Sequence, residues 1–354
     1  MTTSIEAPVP TADPAVRSIV AGRGAGRWSV LLALVGVLLV ACVLSIAVGA
    51  RPIAITRVWD ALTSFDPAVE DHLVVRELRI PRTLLGILVG VALGVAGAVM
   101  QGLTRNPLAD PGLLGINAGA ALAVVAGLTF FGVQSTLGLT WFAFGGAAIA
   151  GLAVYVLGSV GAGRATPVKL AIVGAAIAAL LTSITTAILL IDNVSLDQFR
   201  FWAVGSLAGR DLSVVAGAAP FVLAGVVLAL VVARGLDGLA MGEDTAVALG
   251  QRVALVRILG ALAVVLLCGA ATAAAGPIVF VGLVVPHLAR ALTGPDHRRL
   301  LAFAAVLGAI LLLTADVVGR VVVRPSELEV GVVTAFVGAP VFIAFVRKRR
   351  LSEL

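Results

Sequence analysis

Residues 258–289 read ILGALAVVLLCGAATAAAGPIVFVGLVVPHLA, without one Asp, Glu, Lys or Arg in the run. A helix that crosses a bilayer needs about 20 mostly apolar residues. This run is too long for one crossing and short for two upright ones. Gly276-Pro277 divides it, because proline lacks a backbone donor and disfavours helix at the residue before it. Two helices, 254–275 and 277–294, are therefore expected to meet at a break that no water-soluble loop marks.

Outward from this run the same pattern repeats. Further spans are expected at 29–49, 82–103, 112–132, 138–160, 168–191, 213–233, 300–318 and 329–346, which makes ten. The composition agrees: 60% of the 354 residues are hydrophobic and 12% are charged, against roughly 25% charged in a soluble domain. The expected fold is all-α, a single polytopic membrane domain over 29–346. The net charge of +6 lies in short clusters between apolar runs, the pattern of membrane topology and not of a nucleic-acid-binding face.

An even number of spans puts both termini on one side. Both are basic, with Arg17, Arg23 and Arg27 at one end and Arg347, Lys348, Arg349 and Arg350 at the other, so both are expected in the cytoplasm. Residues 1–28 read as a disordered cytoplasmic tail and 347–354 as a basic one. The alternative, a cleaved signal peptide, conflicts with a first run longer than a signal core of 7 to 15 residues. Cys42 and Cys268 lie inside apolar runs, away from any CxxC or histidine partner, and read as small buried hydrophobes. Stretches such as LVGVALGVAGAVMQG (88–102) and GAAIAALLTSITTA (174–187) supply the small residues that let helices approach in lipid.

The middles of the ten spans carry no ionisable residue, with Asp316 and His287 the nearest exceptions. Ion-coupled transporters place such residues in mid-span, so energy is expected from a partner outside the membrane. No HExxH, GxSxG or paired intramembrane aspartate is present, which argues against an intramembrane enzyme. Between the sixth and seventh spans, LDGLAMGEDTAVALGQR (236–252) places Glu243 and Asp244 at the start of a short helix, where carboxylates suit the helix dipole. It reads either as an amphipathic connector or as a docking element on the cytoplasmic face.

Seven segments, in order, resemble the permeases of type II ATP-binding-cassette importers for iron siderophores, haem and cobalamin, the FecCD-type family. They are RIPRTL (79–84), GAVMQGLTRNPLADPGLLGINAGA (97–120), FWAVGSLAG (201–209), LAMGEDTAVALG (239–250), GPIVFVGLVVPHLARALTGPDHR (276–298), ADVVGR (315–320) and ELEVGVVTAFVGAPVFIAFVR (327–347). The resemblance implies a type II importer permease fold in the cytoplasmic membrane. Its implied partners are a second permease, identical or paralogous, two ATPase subunits holding ATP and Mg, and an external substrate-binding protein. No cofactor is expected on this chain.

The resemblance also assigns residues. Leu239, Gly242, Glu243, Asp244, Leu249 and Gly250 would meet the ATPase. Arg79, Arg82 and Arg320 would either dock glutamates of the binding protein, since arginine fits a carboxylate bidentately, or snorkel at helix ends. Read from the residues themselves, Gln101, Asn106 and Asn117 are expected to line an inner gate or to cap helices, His287 to be a path residue or a helix-end histidine satisfied by backbone, and Trp202 and Ser206 to lie near the path. Trp202 with Gly205-Ser206 is expected in a short external re-entrant element. The expected cargo is a ferric siderophore, with haem or cobalamin as alternatives. An ion-coupled carrier or a non-transporting scaffold would contradict the resemblance.

Overall fold

The computed structural model describes residues 14–49, 52–159 and 167–352. Helix α1 spans Pro14–Ala47, and α2 (Ile55–Thr63) and α3 (Glu70–Leu73) follow it. A π-helical turn, Val74–Arg79, leads without a gap into α4 (Ile80–Thr104). After a 3-10 turn at Pro111–Leu114 come α5 (Ile116–Phe131), α6 (Thr136–Ser159), α7 (Pro167–Ile191) and α8 (Asn193–Ala203). The chain continues with α9 (Leu212–Ala240), α10 (Glu243–Ala248), α11 (Val253–Ala275), α12 (Val281–Thr293), α13 (His297–Val322) and α14 (Val330–Ser352).

Among the described residues seven helices are long and apolar enough to cross a membrane, and three shorter apolar ones, Ile116–Phe131, Val281–Thr293 and Val330–Ala344, bring the total to ten. These ten occupy the ten runs expected from sequence. Their ends differ in places. Helix α1 begins at Pro14, inside the stretch read as a disordered tail, where proline suits the first helical turn and Ala15 and Ala21 favour helix. Residues 1–13 of that tail lie outside the described residues. At the other terminus, α14 runs through the basic residues to Ser352.

Helix α4 is the axis of the bundle: 78% of its most apolar window is buried, against 11% for α1. Its small-residue face packs on α13 and α12. A methyl group on Gly97 would overlap the carbonyl of Gly282 on α12, and one on Gly90 would lie 2.5 Å from the Gly308 carbonyl on α13. With no hydrophobic effect to draw helices together in lipid, this close approach is what holds α4, α12 and α13.

The expected break at Gly276-Pro277 is present, but it is longer than two residues. Gly276 leaves α11 with φ of 76° and Phe280 enters α12 at φ of 69°, so α12 begins at 281 and not at 277. Thirteen residues rise about 20 Å, well short of the roughly 30 Å hydrocarbon core. Irregular backbone at such depth survives only when protein covers it. The loop after α8 supplies the cover: the Ser206 amide donates to the Ala275 carbonyl at 2.7 Å, and the Gly331 amide to the Gly205 carbonyl at 3.0 Å. Helix α5 is short for a similar reason. Its entry is the 3-10 turn capped by Asp110, whose Oδ1 accepts from the Gly112 amide at 2.8 Å.

Cys268 is buried and Cys42 partly so, and both are free thiols. The packing at Gly97 yields a stability test. Gly97→Ala should destabilise the solubilised protein by about 1–3 kcal/mol, the range for overpacking a filled core. Gly36→Ala, with nothing within 4 Å of the new carbon, should leave the melting temperature unchanged. Equal melting of both variants would refute the close-contact account.

Candidate functional site

Two ends of the bundle carry organised polar chemistry. At the first, α1 stops at Ala47 and leaves carbonyls without helical donors. Arginines from three other segments take them. Arg320 Nη1 donates to the carbonyls of Ser45 at 2.8 Å and Val48 at 3.0 Å. Arg79 Nη1 donates to Ile46 at 2.8 Å and Ala47 at 2.7 Å, and Arg324 Nη2 to Gly49 at 2.9 Å. The positive charge at this helix end also opposes the negative pole of the α1 dipole.

Asp316 on α13 is the counter-ion, and it is fully buried. Arg82 Nε lies 3.0 Å from both of its oxygens, and Arg82 Nη2 is 2.7 Å from Oδ1. Arg320 Nη2 meets Asp316 Oδ2 at 2.8 Å, and Arg82 Nη1 reaches Glu327 at 2.7 Å. Arg79 is 5% and Arg320 2% exposed. In this structure Arg79 and Arg320 are engaged by the α1 carbonyls and Arg82 by Asp316 and Glu327, because the carbonyls and Asp316 cost more unpaired in hydrocarbon than rim charges gain in water. Arg57 and Arg76 are exposed at this end, as is Arg324, with Arg76 over the Phe65 ring at 4.5 Å.

The second end is built on α10. Gly242, at φ of 112°, caps α9 and starts α10, and Gly250, at φ of 77°, releases the chain toward α11. Ala246 is fully buried, and Glu243 forms a fork with Arg257 of α11 at 3.2 and 2.8 Å. Glu243 is thus a brace within the chain. Leu239 is 2% exposed and belongs to the core. Asp244 and Leu249 face outward, and Met241 (59%), Val247 (51%) and Leu249 (64%) make an exposed apolar tip. Asp237, at the end of α9, accepts from the His297 amide at 2.9 Å and lies 2.7 Å from its Nδ1, which fastens α9 to the start of α13.

The expected path residues do not form one cluster. Buried Gln101 links α4 to α12, donating to the Leu283 carbonyl at 3.3 Å and accepting from Arg290 at 3.4 Å. Asn106 accepts from the Leu108 amide at 2.9 Å in an exposed turn, and Asn117 accepts from Thr272 at 2.9 Å. Trp202 is buried at the end of α8, stacked on Phe199 at 5.8 Å, and Ser206 Oγ accepts from the Ala208 amide at 3.0 Å in the loop that covers the α11 break. His287 is half-buried on α12.

Sequence reading missed two features. Arg210 sits in the loop between α8 and α9 with its Nε buried and unbonded among the described residues. Burial pushes its guanidinium below the ordinary range, and Glu329 opposes the shift. On α7 only 17% of the apolar window is buried, and its exposed flank carries the hydroxyls of Thr182, Ser183 and Thr186. Ser183 Oγ and Thr186 Oγ1 donate to carbonyls one turn back at 2.8 and 2.9 Å. Three hydroxyls at i, i+1 and i+4 were readable as one helical flank, but their exposure was not.

A model of the FecCD transport family matches residues 37–348. The chain belongs to the FecCD transport family. The ferric enterobactin transport system permease protein FepD of Escherichia coli (strain K12) is 47% identical over 312 residues, covering 88% of this chain and 93% of that protein. The probable siderophore transport system permease protein YfiZ of Bacillus subtilis (strain 168) is 42% identical over 326 residues, 92% of this chain and 98% of the relative. A solved structure assigned to an inward-facing metal-chelate type ABC transporter superposes with a TM-score of 0.79 at 27% identity, covering 90% of this chain and 99% of that one. This FecCD protein is accordingly a multi-pass transport permease and not an enzyme, with ATP hydrolysis on separate ATPase subunits.

Removing one member of a buried ion pair costs about 3–5 kcal/mol. Arg320→Leu should destabilise the solubilised permease by that amount, while exposed Arg57→Leu should leave its melting unchanged. Equal melting of the two variants would show that the arginine clasp does not stabilise the fold.

Proposed function

We propose that this permease moves a ferric siderophore into the cytoplasm, with the iron enclosed in its chelator throughout. The reading rests on relatives that carry siderophores and align over nearly their whole length. Similarity to the hemin transport system permease protein HmuU of Yersinia pestis, 42% identical over 77% of this chain, is equal in degree but shorter in extent, so haem ranks second.

The observation that carries the mechanism is the tip of α10. An exposed Met241, Val247 and Leu249 on and beside a helix braced by an ion pair is an apolar surface left uncovered by the described residues. A groove on an ATPase subunit would bury it, and the Glu243–Arg257 fork would pass the motion to α11. Asp244, outward-facing beside the tip, would meet basic residues of the ATPase. In this orientation the α10 end and both termini face the cytoplasm, and the arginine clasp faces outward. Two permeases, identical or paralogous, would bind two ATPases holding ATP and Mg, and together they would enclose the path. The hydroxyl flank of α7 is suited to line that path, because its small polar side chains already satisfy themselves and hold no cargo tightly. An external binding protein would dock near Arg57 and Arg76, exposed cations of the outer end, where rim charges set orientation and on-rate.

Val247→Asp with Leu249→Asp should remove about 3 kcal/mol or more of apolar burial from the ATPase contact. The ATPase should then be lost on co-purification and ATP-dependent ferric siderophore uptake abolished, with membrane insertion intact. Full retention of the ATPase by the double variant would sink the α10 reading. Uptake that fails with an ionophore while ATP is maintained would instead point to ion coupling.

A further inference from the structure

A cavity of about 370 Å³ lies between α4, α6 and α11, and of its lining Arg257 alone takes part in the ATPase coupling proposed above. Its lining comes from the last turns of α4 (Thr104) and α6 (Tyr155) and from α11 between Arg257 and its middle (Val265), so it lies toward the end of the bundle that carries α10. Along α11 it runs from Arg257 to Leu266, about 13 Å at the helical rise per residue. It opens sideways, since Leu152 (63%), Ile258 (46%) and Leu262 (45%) at its rim are exposed on flanks of membrane-crossing helices.

The chemistry of the walls fixes the class of occupant. They are almost wholly apolar, so water has too few polar partners to settle there, and an empty groove would forfeit the dispersion contacts of its lining. The medium against that flank is lipid acyl chain. The mouth is different. Arg257 carries five N–H donors, and its two bonds to Glu243 are the hydrogen bonds it makes among the described residues. Tyr155, beside it in the lining, is of the residue type that settles at headgroup level. An apolar slot ending in a cation between transmembrane helices matches an anionic lipid, whose phosphate accepts from arginine and whose chain fills the slot.

We propose that this groove binds one acyl chain of an anionic phospholipid, with the phosphate held at Arg257. Phosphate and Glu243 then share one guanidinium, and Glu243 is the first residue of α10. Lipid identity would thereby set how firmly α10 is braced. Placing the lipid in the cytoplasmic leaflet rests on the orientation proposed above, whereas occupancy of the groove does not.

The test uses the full-length permease in nanodiscs doped with phosphatidylglycerol carrying a diazirine at the end of one acyl chain, against the same probe built on phosphatidylcholine. Photolabelling mapped by mass spectrometry should concentrate on peptides covering 144–155 and 257–266. It should favour phosphatidylglycerol about fivefold, the preference that one basic residue near anionic lipid confers. Ala148→Phe and Ala261→Phe, which fill the groove from two walls, should each abolish this labelling while labelling of the lipid-exposed α1 stays as it was. Arg257→Gln should keep the label and lose the preference. Should either phenylalanine variant fail to insert, Ala148→Leu repeats the test with a smaller plug. Labelling of the two peptides no stronger than that of α1, or unchanged by the plugs, would overturn the site. Equal labelling by both probes in the unsubstituted protein would overturn the anionic headgroup. Neither result depends on transport, so failure of the lipid site and failure of the siderophore reading are separable.

Discussion

In hydrocarbon no water accepts or donates a hydrogen bond, and every backbone group of a membrane-crossing chain must find a protein partner. The end of α1 shows the strength of this constraint. Five successive carbonyls, from Ser45 to Gly49, are each met by an arginine from another segment. Arg320 among them is a fully buried cation and needs a counter-charge, which Asp316 supplies while also pairing with Arg82 of α4. One unsatisfied helix end thus accounts for an ionic cluster, for its burial, and for the attachment of α1 to α4 and α13.

The same constraint explains the breaks. Helices α5 and α12 are shorter than the bilayer, and their entry segments carry irregular backbone into the interior. That arrangement holds because Asp110 and the 204–211 loop satisfy exposed backbone groups. Close approach is then required so that those donors reach their acceptors, and it is permitted only by missing side chains. Gly276, whose methyl would overlap the Trp202 carbonyl, and Gly97 against Gly282 are positions where the sequence had no other choice.

Much of the architecture was legible because apolar runs and charge clusters are local. The break at Gly276-Pro277 could be read from two residues, and the helical start at Glu243 from a glycine followed by two carboxylates. What could not be read depends on partners distant in the chain. Arg82 and Asp316 stand 234 positions apart, and nothing near either one tells a rim charge from an internal tie. Family resemblance encouraged the rim reading of all three arginines, whereas the orphaned carbonyls of α1 engage Arg79 and Arg320, and Asp316 engages Arg82. Leu239 was grouped with the coupling surface because it opens the family motif over 239–250, yet one helical position decides whether a leucine faces core or water. The exposed hydroxyl flank of α7 was hidden for a related reason, since a run of small residues looks the same whether it packs on a helix or on a lumen.

The two organised ends are joined by α13. It starts at His297, which is fastened to Asp237 of α9, and it carries Asp316 and Arg320 near its other end. Its 26 residues extend about 39 Å, and along this length it is packed on α4 through the small residues at 304 and 308. Packed interiors move between discrete arrangements and do not deform continuously. A displacement of α10 large enough to shift the end of α9 must therefore either break the Asp237–His297 contact or carry α13 with it. If α13 moves, Asp316 and Arg320 move with it, and both the α1 carbonyls bonded to Arg320 and Arg82 of α4 must follow, because separating a buried carboxylate from its guanidinium costs more than tilting a rigid helix. A chain with no ionisable residue at mid-span can in this way pass a push from one membrane face to the other, with helix rigidity and two polar fastenings doing what a charge relay does in an ion-coupled carrier.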